Sequence, residues 1–204
     1  MKKGIIIGLC IVALVLVSGS VFAESGYFYW DGNYKGKKLT VSSGTEKSSL
    51  GSWNDKISSY KIDSGVQCVM TKDSKFGGSY KYITGSAAHM PSGWNDKVSS
   101  IKCAASDYFT TNNAPAAKCY VYKHNHFSGN IMVIVVDQNK ASLGSMNDKI
   151  SSIRVGSGIK CDFYKDSNYK NKLFSMTGGQ QKNRLSNIGY NDKISSIKCY
   201  TYQP

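Results

Sequence analysis

Acidic charge is scarce in this chain. Thirteen Asp and Glu stand against 26 Lys and Arg among 204 residues, and charged residues of both signs make up 19%. Few charges alongside 20 glycines suit short strands and turns better than long solvated helices. Catalytic patterns are missing too. There is no His-Glu-x-x-His, no Ser-His-Asp order with supporting glycine turns and no phosphate loop, so the chain is not read as an enzyme. Beyond residue 23 no apolar run is long enough to span a membrane as a helix. The lysines form no cluster of five or six, which describes a solvated basic surface and no specific nucleic-acid site.

The first 23 residues set the compartment. Lys2 and Lys3 precede the apolar run Ile5 to Val17, and Val21-Phe22-Ala23 offers a small-x-small cleavage site before Glu24. This is the form of a secretory signal peptide, residues 1–23, and places the mature chain outside the cell, in a periplasm or on a cell surface. Cleavage leaves 24 basic and 13 acidic residues, a net charge of +11. Such a surface favours anionic partners such as an acidic polysaccharide or a lipid surface.

Six residues are written four times. Asn-Asp-Lys-(Ile/Val)-Ser-Ser begins at Asn54, Asn95, Asn147 and Asn191, and repetition of this kind dictates architecture. The spacings are 41, 52 and 44 residues. The surplus in the middle gap falls in a segment rich in Ala, Asn and Thr with Pro115, a linker composition. Two units, a linker and two more units follow. The domain at 24–104 is joined through 105–117 to a second at 118–204. Each unit of about 40 residues carries strand-like stretches around turn signals, such as Tyr27-Phe28-Tyr29-Trp30 before Asp31-Gly32-Asn33. One unit has too little core to stand alone. Two stacked as sheets bury the apolar face, which predicts an all-β protein of two β-sandwich domains.

Upstream of each motif lies a second frame. Tyr29-x4-Tyr34-x-Gly36 and Tyr122-x4-Phe127-x-Gly129 show it in full, the second unit has Thr71 for the first aromatic, and the fourth has Asn171 for the glycine. Asn is the residue that best tolerates the positive φ a glycine supplies. Together the two motifs resemble the βγ-crystallin superfamily across essentially the whole mature chain. The resemblance implies two Greek-key motifs per domain and the calcium-binding microbial type. Calcium takes six to eight oxygens, and the six residues offer carboxylate, carbonyl and hydroxyl oxygen with no Cys or His suited to zinc. Carried over from the family, Asp55 pairs with Ser99, Asp96 with Ser58, Asp148 with Ser195 and Asp192 with Ser151. Backbone carbonyls of Asn54, Asn95, Asn147 and Asn191, and of Trp30, Lys72, Lys123 and Lys165 in the hairpins, complete up to two Ca2+ sites per domain. The last Ser of each motif is expected to pack over its hairpin. One Asp per site among lysines predicts dissociation constants of order 10⁻⁵ to 10⁻³ M.

Five cysteines follow the leader. Cys68 and Cys103 bracket the second unit, and Cys161 and Cys199 the fourth. The first and fourth strands of a Greek key are neighbours, so the expectation is two disulfides, the alternative being buried thiols. Cys119 is left as a free thiol or an intermolecular link. His124-Asn125-His126 reads as turn residues rather than a metal pair, and Trp53 and Trp94 as core. The functional expectation is a secreted calcium-binding protein of a coat, matrix or stress-related kind, with self-association among its consequences. A basic toxin-like or protease-inhibitor-like effector and a carbohydrate- or anionic-surface-binding module are the alternatives.

Overall fold

The computed structural model describes residues 24–203; the expected signal peptide lies outside them. Among the described residues the protein is all-β, with fifteen strands in four antiparallel sheets, and no helix is long and apolar enough to cross a membrane.

The first unit contributes β1 (Ser25–Asp31), β2 (Lys35–Ser42), β3 (Glu46–Lys47) and β4 (Ser59–Ile62), and the second β5 (Val66–Thr71), β6 (Tyr80–Ile83), β7 (Ser86–Ala87) and β8 (Ser100–Ala105). Their sheets run β2-β1-β4-β7 and β3-β8-β5-β6. The short third strand of each unit has crossed to the edge of its partner's sheet, with Glu46 opposite Lys102 and Tyr60 opposite Ala87. In the second half β9 (Lys118–His124), β10 (Ser128–Val135), β11 (Ser152–Val155), β12 (Ile159–Asp166), β13 (Lys170–Thr177), β14 (Gln181–Lys182) and β15 (Ser196–Thr201) repeat the plan. The sheets there are β10-β9-β11-β14 and β13-β12-β15. The third unit's crossing strand is reduced to one bridge, Lys140 to Ile197. The polar stretch Ser42 to Ser49 contains β3, whose two residues are too few to show a strand's alternation.

The crossing explains why the units pair. It places the inward residues of two sheets face to face in each half. One core gathers Phe28, Ile57, Met70, Val98 and Ile101, and the other Val121, Ile134, Ile150, Phe163, Ile194 and Ile197, all inaccessible to solvent. Cys68 lies opposite Cys103 on β5 and β8, and Cys161 opposite Cys199 on β12 and β15. Both pairs are disulfides, and Cys119 is a buried free thiol.

Residues 105–117 do more than span. Phe109 is buried against Val69 and Ala104, and its ring meets Tyr82 at 5.2 Å. Around it the second and third units touch through paired polar groups. The Lys102 ammonium donates to the Phe127 carbonyl and pairs with Glu46 at 3.4 Å. The buried Arg154 guanidinium stacks 3.8 Å from the Phe127 centroid and donates to the Tyr108 carbonyl. A cation taken out of water needs such partners, and these hold both halves.

Candidate metal centres

Most positions of the repeated motif make one contact that recurs in all four copies. The apolar fourth residue (Ile57, Val98, Ile150 or Ile194) is buried in the core. Its carbonyl accepts from the N–H of the second-position Asp of the partner motif. Asp55 donates to Val98 at 3.1 Å, Asp96 to Ile57 at 3.2 Å, Asp148 to Ile194 at 3.1 Å and Asp192 to Ile150 at 3.1 Å. The two motifs of each half are thus bonded across a pseudo-twofold relation. Every one of these Asp residues sits at positive φ, between 49° and 54°, a conformation short polar side chains tolerate. The Asn before it donates its side-chain amide to the Asp carboxylate at 2.7–2.8 Å. That leaves the other carboxylate oxygen for what lies across the interface.

The fifth residue, Ser, lies across it. Its N–H donates to a hairpin carbonyl: Ser58 to Tyr29, Ser99 to Thr71, Ser151 to Tyr122 and Ser195 to Tyr164, each at 2.9 Å. This fixes the hydroxyl beside the next hairpin residue and the partner's carboxylate. Ser58 Oγ lies 3.1 Å from Asp96 Oδ1, Ser195 Oγ 2.9 Å from Asp148 Oδ1 and Ser151 Oγ 3.4 Å from Asp192 Oδ1. In the fourth pair Asp55 bonds the residue before Ser99, through its N–H to the Val98 carbonyl at 3.1 Å, and the contact of carboxylate with hydroxyl is seen for the other three pairs. Ser151 Oγ also donates to the Lys123 carbonyl at 2.9 Å, so three kinds of oxygen converge at one hydroxyl. Trp30, Asp31, Asp55, Lys56 and Asp96 line a shallow cleft in the first half.

The sixth residue, Ser, is inaccessible to solvent in all four motifs. Its hydroxyl staples the hairpin. Ser59, Ser152 and Ser196 donate to the carbonyls of Asp31, His124 and Asp166 at 2.6 Å, and Ser100 to Asp73 at 2.9 Å. Each accepts from the N–H of Tyr34, Phe76, Phe127 or Tyr169 at 3.0–3.1 Å. Those four aromatics take positive φ, as Gly36, Gly78, Gly129 and Asn171 do two residues later. The first aromatic of the frame packs edge-on against the second, as in Tyr29–Tyr34 at 5.9 Å. Where Thr71 replaces it, its hydroxyl bonds Ser100 Oγ instead.

The Asp192 cleft differs from the others. Its volume is about 350 Å³, and Lys123, His124, Asn125, Ser151 and Asn191 line it together with Ser74, Lys75 and Gly77 from the first half. Desolvation there pushes the Asp192 carboxyl up, against the opposing pull of Ser151 and His124. Asn191 Oδ1 is buried without a partner, a cost normally offset by water or a cation. The donors are oxygen, they converge, and one acceptor is unmet, so the residues fit a hard divalent cation. His124 and His126 do not act as a pair. His124 lines this cleft, while His126 turns into the junction between the halves, its Nδ1 2.9 Å from Tyr82 Oη. Of the tryptophans, Trp94 is core, Trp53 packs at the core's margin, and Trp30 meets Trp53 edge-on at 5.5 Å.

Paired Greek keys that trade a short strand and cross an Asn-Asp-x-x-Ser-Ser motif define a crystallin-type β-sandwich. The comparisons agree with that class. Spherulin-3A of Physarum polycephalum is 27% identical over 92 residues, 45% of this chain and 89% of that protein. A βγ-crystallin domain from Flavobacterium johnsoniae is 34% identical, matching 40% of this chain and 94% of its own, with a TM-score of 0.36. One from Clostridium beijerinckii is 25% identical over 40% of this chain and 98% of its own, with a TM-score of 0.37. The sequence model of peptidase inhibitor family I36 matches residues 109–176. With the signature motif in four copies and this strand order, the chain belongs to the βγ-crystallin superfamily.

Proposed function

We propose that this is a secreted, non-enzymatic, calcium-binding βγ-crystallin-like protein in which Ca2+ clamps paired Greek keys, up to two ions per half. The residues are Asp55 with Ser99, Asp96 with Ser58, Asp148 with Ser195 and Asp192 with Ser151. Carbonyls of Asn54, Asn95, Asn147, Asn191, Trp30, Lys72, Lys123 and Lys165 complete the sets. The halves are two domains, 24–104 and 118–204. The observation that carries this reading is the meeting of Ser151 Oγ with the Lys123 carbonyl and the Asp192 carboxylate beside the unpartnered Asn191 Oδ1. Each partner motif supplies what the other lacks, so binding favours the paired state over the separated one. A 10⁻⁵ M site at ~1 mM calcium adds about 2.7 kcal/mol, a large share of the ~5–15 kcal/mol that stabilises a domain. That makes the ion structural and suits a coat, matrix or stress-related role in a calcium-rich, oxidising space, where disulfides persist. Calorimetric titration with calcium tests it, as does melting against chelator. Heat of binding and a melt raised by several degrees are expected; identical melts and no heat would end the proposal. Asp55→Ala with Asp96→Ala should silence the first half's response and spare the second's.

The I36 match favours a second reading, a secreted basic inhibitor of peptidases. Within the matched stretch, edge strand β10 exposes Ile131 and Val133, and an exposed apolar edge can pair with another chain. Inhibition of secreted endopeptidases by the mature protein supports that reading, and its absence across serine, cysteine and metallo classes removes it.

A further inference from the structure

We propose that Cys119, Cys161 and Cys199 form an internal thiol–disulfide exchange centre, confined to the second half of the chain. The three sulfurs lie within 4.8 Å of one another, and all three residues are inaccessible to solvent. The first half shows what is special about this. Cys119 on β9 lies opposite Ile134 and Val155, and its counterpart on β1, opposite Val41 and Ile62, is Gly26. A Cβ built on Gly26 would sit 2.9 Å from both sulfurs of the Cys68–Cys103 disulfide. A side chain at this strand position would therefore press directly on the neighbouring disulfide. In the first half it carries no side chain. In the second it carries a thiol.

The step conserves electrons. The Cys119 thiolate attacks Sγ of Cys199, the Cys119–Cys199 bond forms as the Cys161–Cys199 bond breaks, and the electron pair leaves on Cys161 Sγ. Cys161 then takes a proton from solvent to replace the one Cys119 released. Attack on Cys161 frees Cys199 in the same way. No oxidant or reductant is consumed. The products differ in mechanics, because Cys161–Cys199 joins neighbouring strands of one sheet, whereas a bond from Cys119 ties β9 to the opposite sheet of the sandwich. Burial pushes the Cys119 thiol far above its ordinary range, and only the thiolate attacks. Exchange thus runs when the second half opens, during folding or under mild denaturant, and stops when the core closes.

Trypsin makes the isomers readable. Lys118, Lys160 and Lys198 precede the three cysteines, giving the separate peptides Cys119–Lys123, Cys161–Lys165 and Cys199–Pro204. The mature oxidised protein is held at pH 8.5 in sub-denaturing urea, dilute and without added thiol. It is then acid-quenched, alkylated with N-ethylmaleimide and mapped without reduction, while amide exchange reports opening of β9, β12 and β15. The expected result is a rise of at least tenfold over time zero in peptides linking Cys119 to Cys161 or Cys199. The freed cysteine should carry the label, and the Cys68–Cys103 link should be unchanged. Cys119→Ser should retain Cys161–Cys199 alone. Label confined to Cys119 while those strands open would overturn the proposal. So would Cys119 links found only in covalent dimers on a non-reducing gel.

Discussion

Two adjacent serines, Ser151 and Ser152, should behave as residues from different proteins. Ser152 Oγ donates to the His124 carbonyl at 2.6 Å and accepts from the Phe127 N–H at 3.0 Å, and neither Ser152 nor Phe127 is accessible to solvent. Ser152→Ala strands the buried Phe127 N–H and takes a donor from the half-buried His124 carbonyl. An unmet buried group costs about 1–3 kcal/mol, so the substitution should cost about 1–3 kcal/mol. At roughly 4–8 °C per kcal/mol for a unit of this size, the second half should melt about 4–24 °C lower with calcium or with chelator. Ser151→Ala removes a hydroxyl at the edge of the Asp192 cleft, where the Lys123 carbonyl and Asp192 can turn to water. Its melt in chelator should fall by no more than about 1 kcal/mol. The calcium increment should shrink with it, since a tenfold weaker site forfeits about 1.4 kcal/mol. Differential scanning calorimetry of both variants with 1 mM calcium and with chelator makes the comparison. If Ser152→Ala melts like the parent, or Ser151→Ala loses as much as Ser152→Ala in chelator, the division of labour is wrong.

Other expectations follow from single contacts. His126 is pushed down to about 3 by burial, with Arg184 and Lys102 adding to the effect. Its folded pKa lies below the unfolded value of about 6.5, so its contribution to stability is present above 6.5 and lost as pH falls toward 3. Acidification to pH 4.5 should therefore loosen the junction around Tyr82 in the parent, while His126→Gln should flatten that part of the profile; near-ultraviolet dichroism reads it. Asn171 holds φ at 52°, so Asn171→Ala should cost about 1–2 kcal/mol and Asn171→Gly much less, measured by urea melts. Replacing Cys161 and Cys199 by alanine opens a loop of 38 residues and should cost the second half about 4 kcal/mol on the chain-entropy view, again measured by urea melts.

The motifs were legible because their physics is local. A left-handed turn needs Gly or Asn, a hairpin staple needs a hydroxyl, and a residue that enters the core must be Ile or Val. Each requirement leaves its letter at a constant place, so Asn171 and the four final serines could be read before any coordinates. The strand exchange left no such letter. Glu46–Lys47 and Ser86–Ala87 become strands only because a partner sheet offers an open edge. The packed junction was equally silent. Tyr108 and Phe109 sit in a stretch whose Ala, Asn and Thr content reads as tether, and only docking against Val69, Ala104 and Arg154 gives them a place.

The sequence by itself determined the four-fold repeat, the turn chemistry, the all-β class and the residue types able to offer oxygen to a cation. Tertiary structure alone decided two things: that the Asp192 cleft borders both halves, and that a third sulfur sits against one disulfide while a glycine sits against the other. The physical reason is range. Backbone conformation is set within a few residues, whereas convergence of groups tens of residues apart exists only once two sheets have closed on one another.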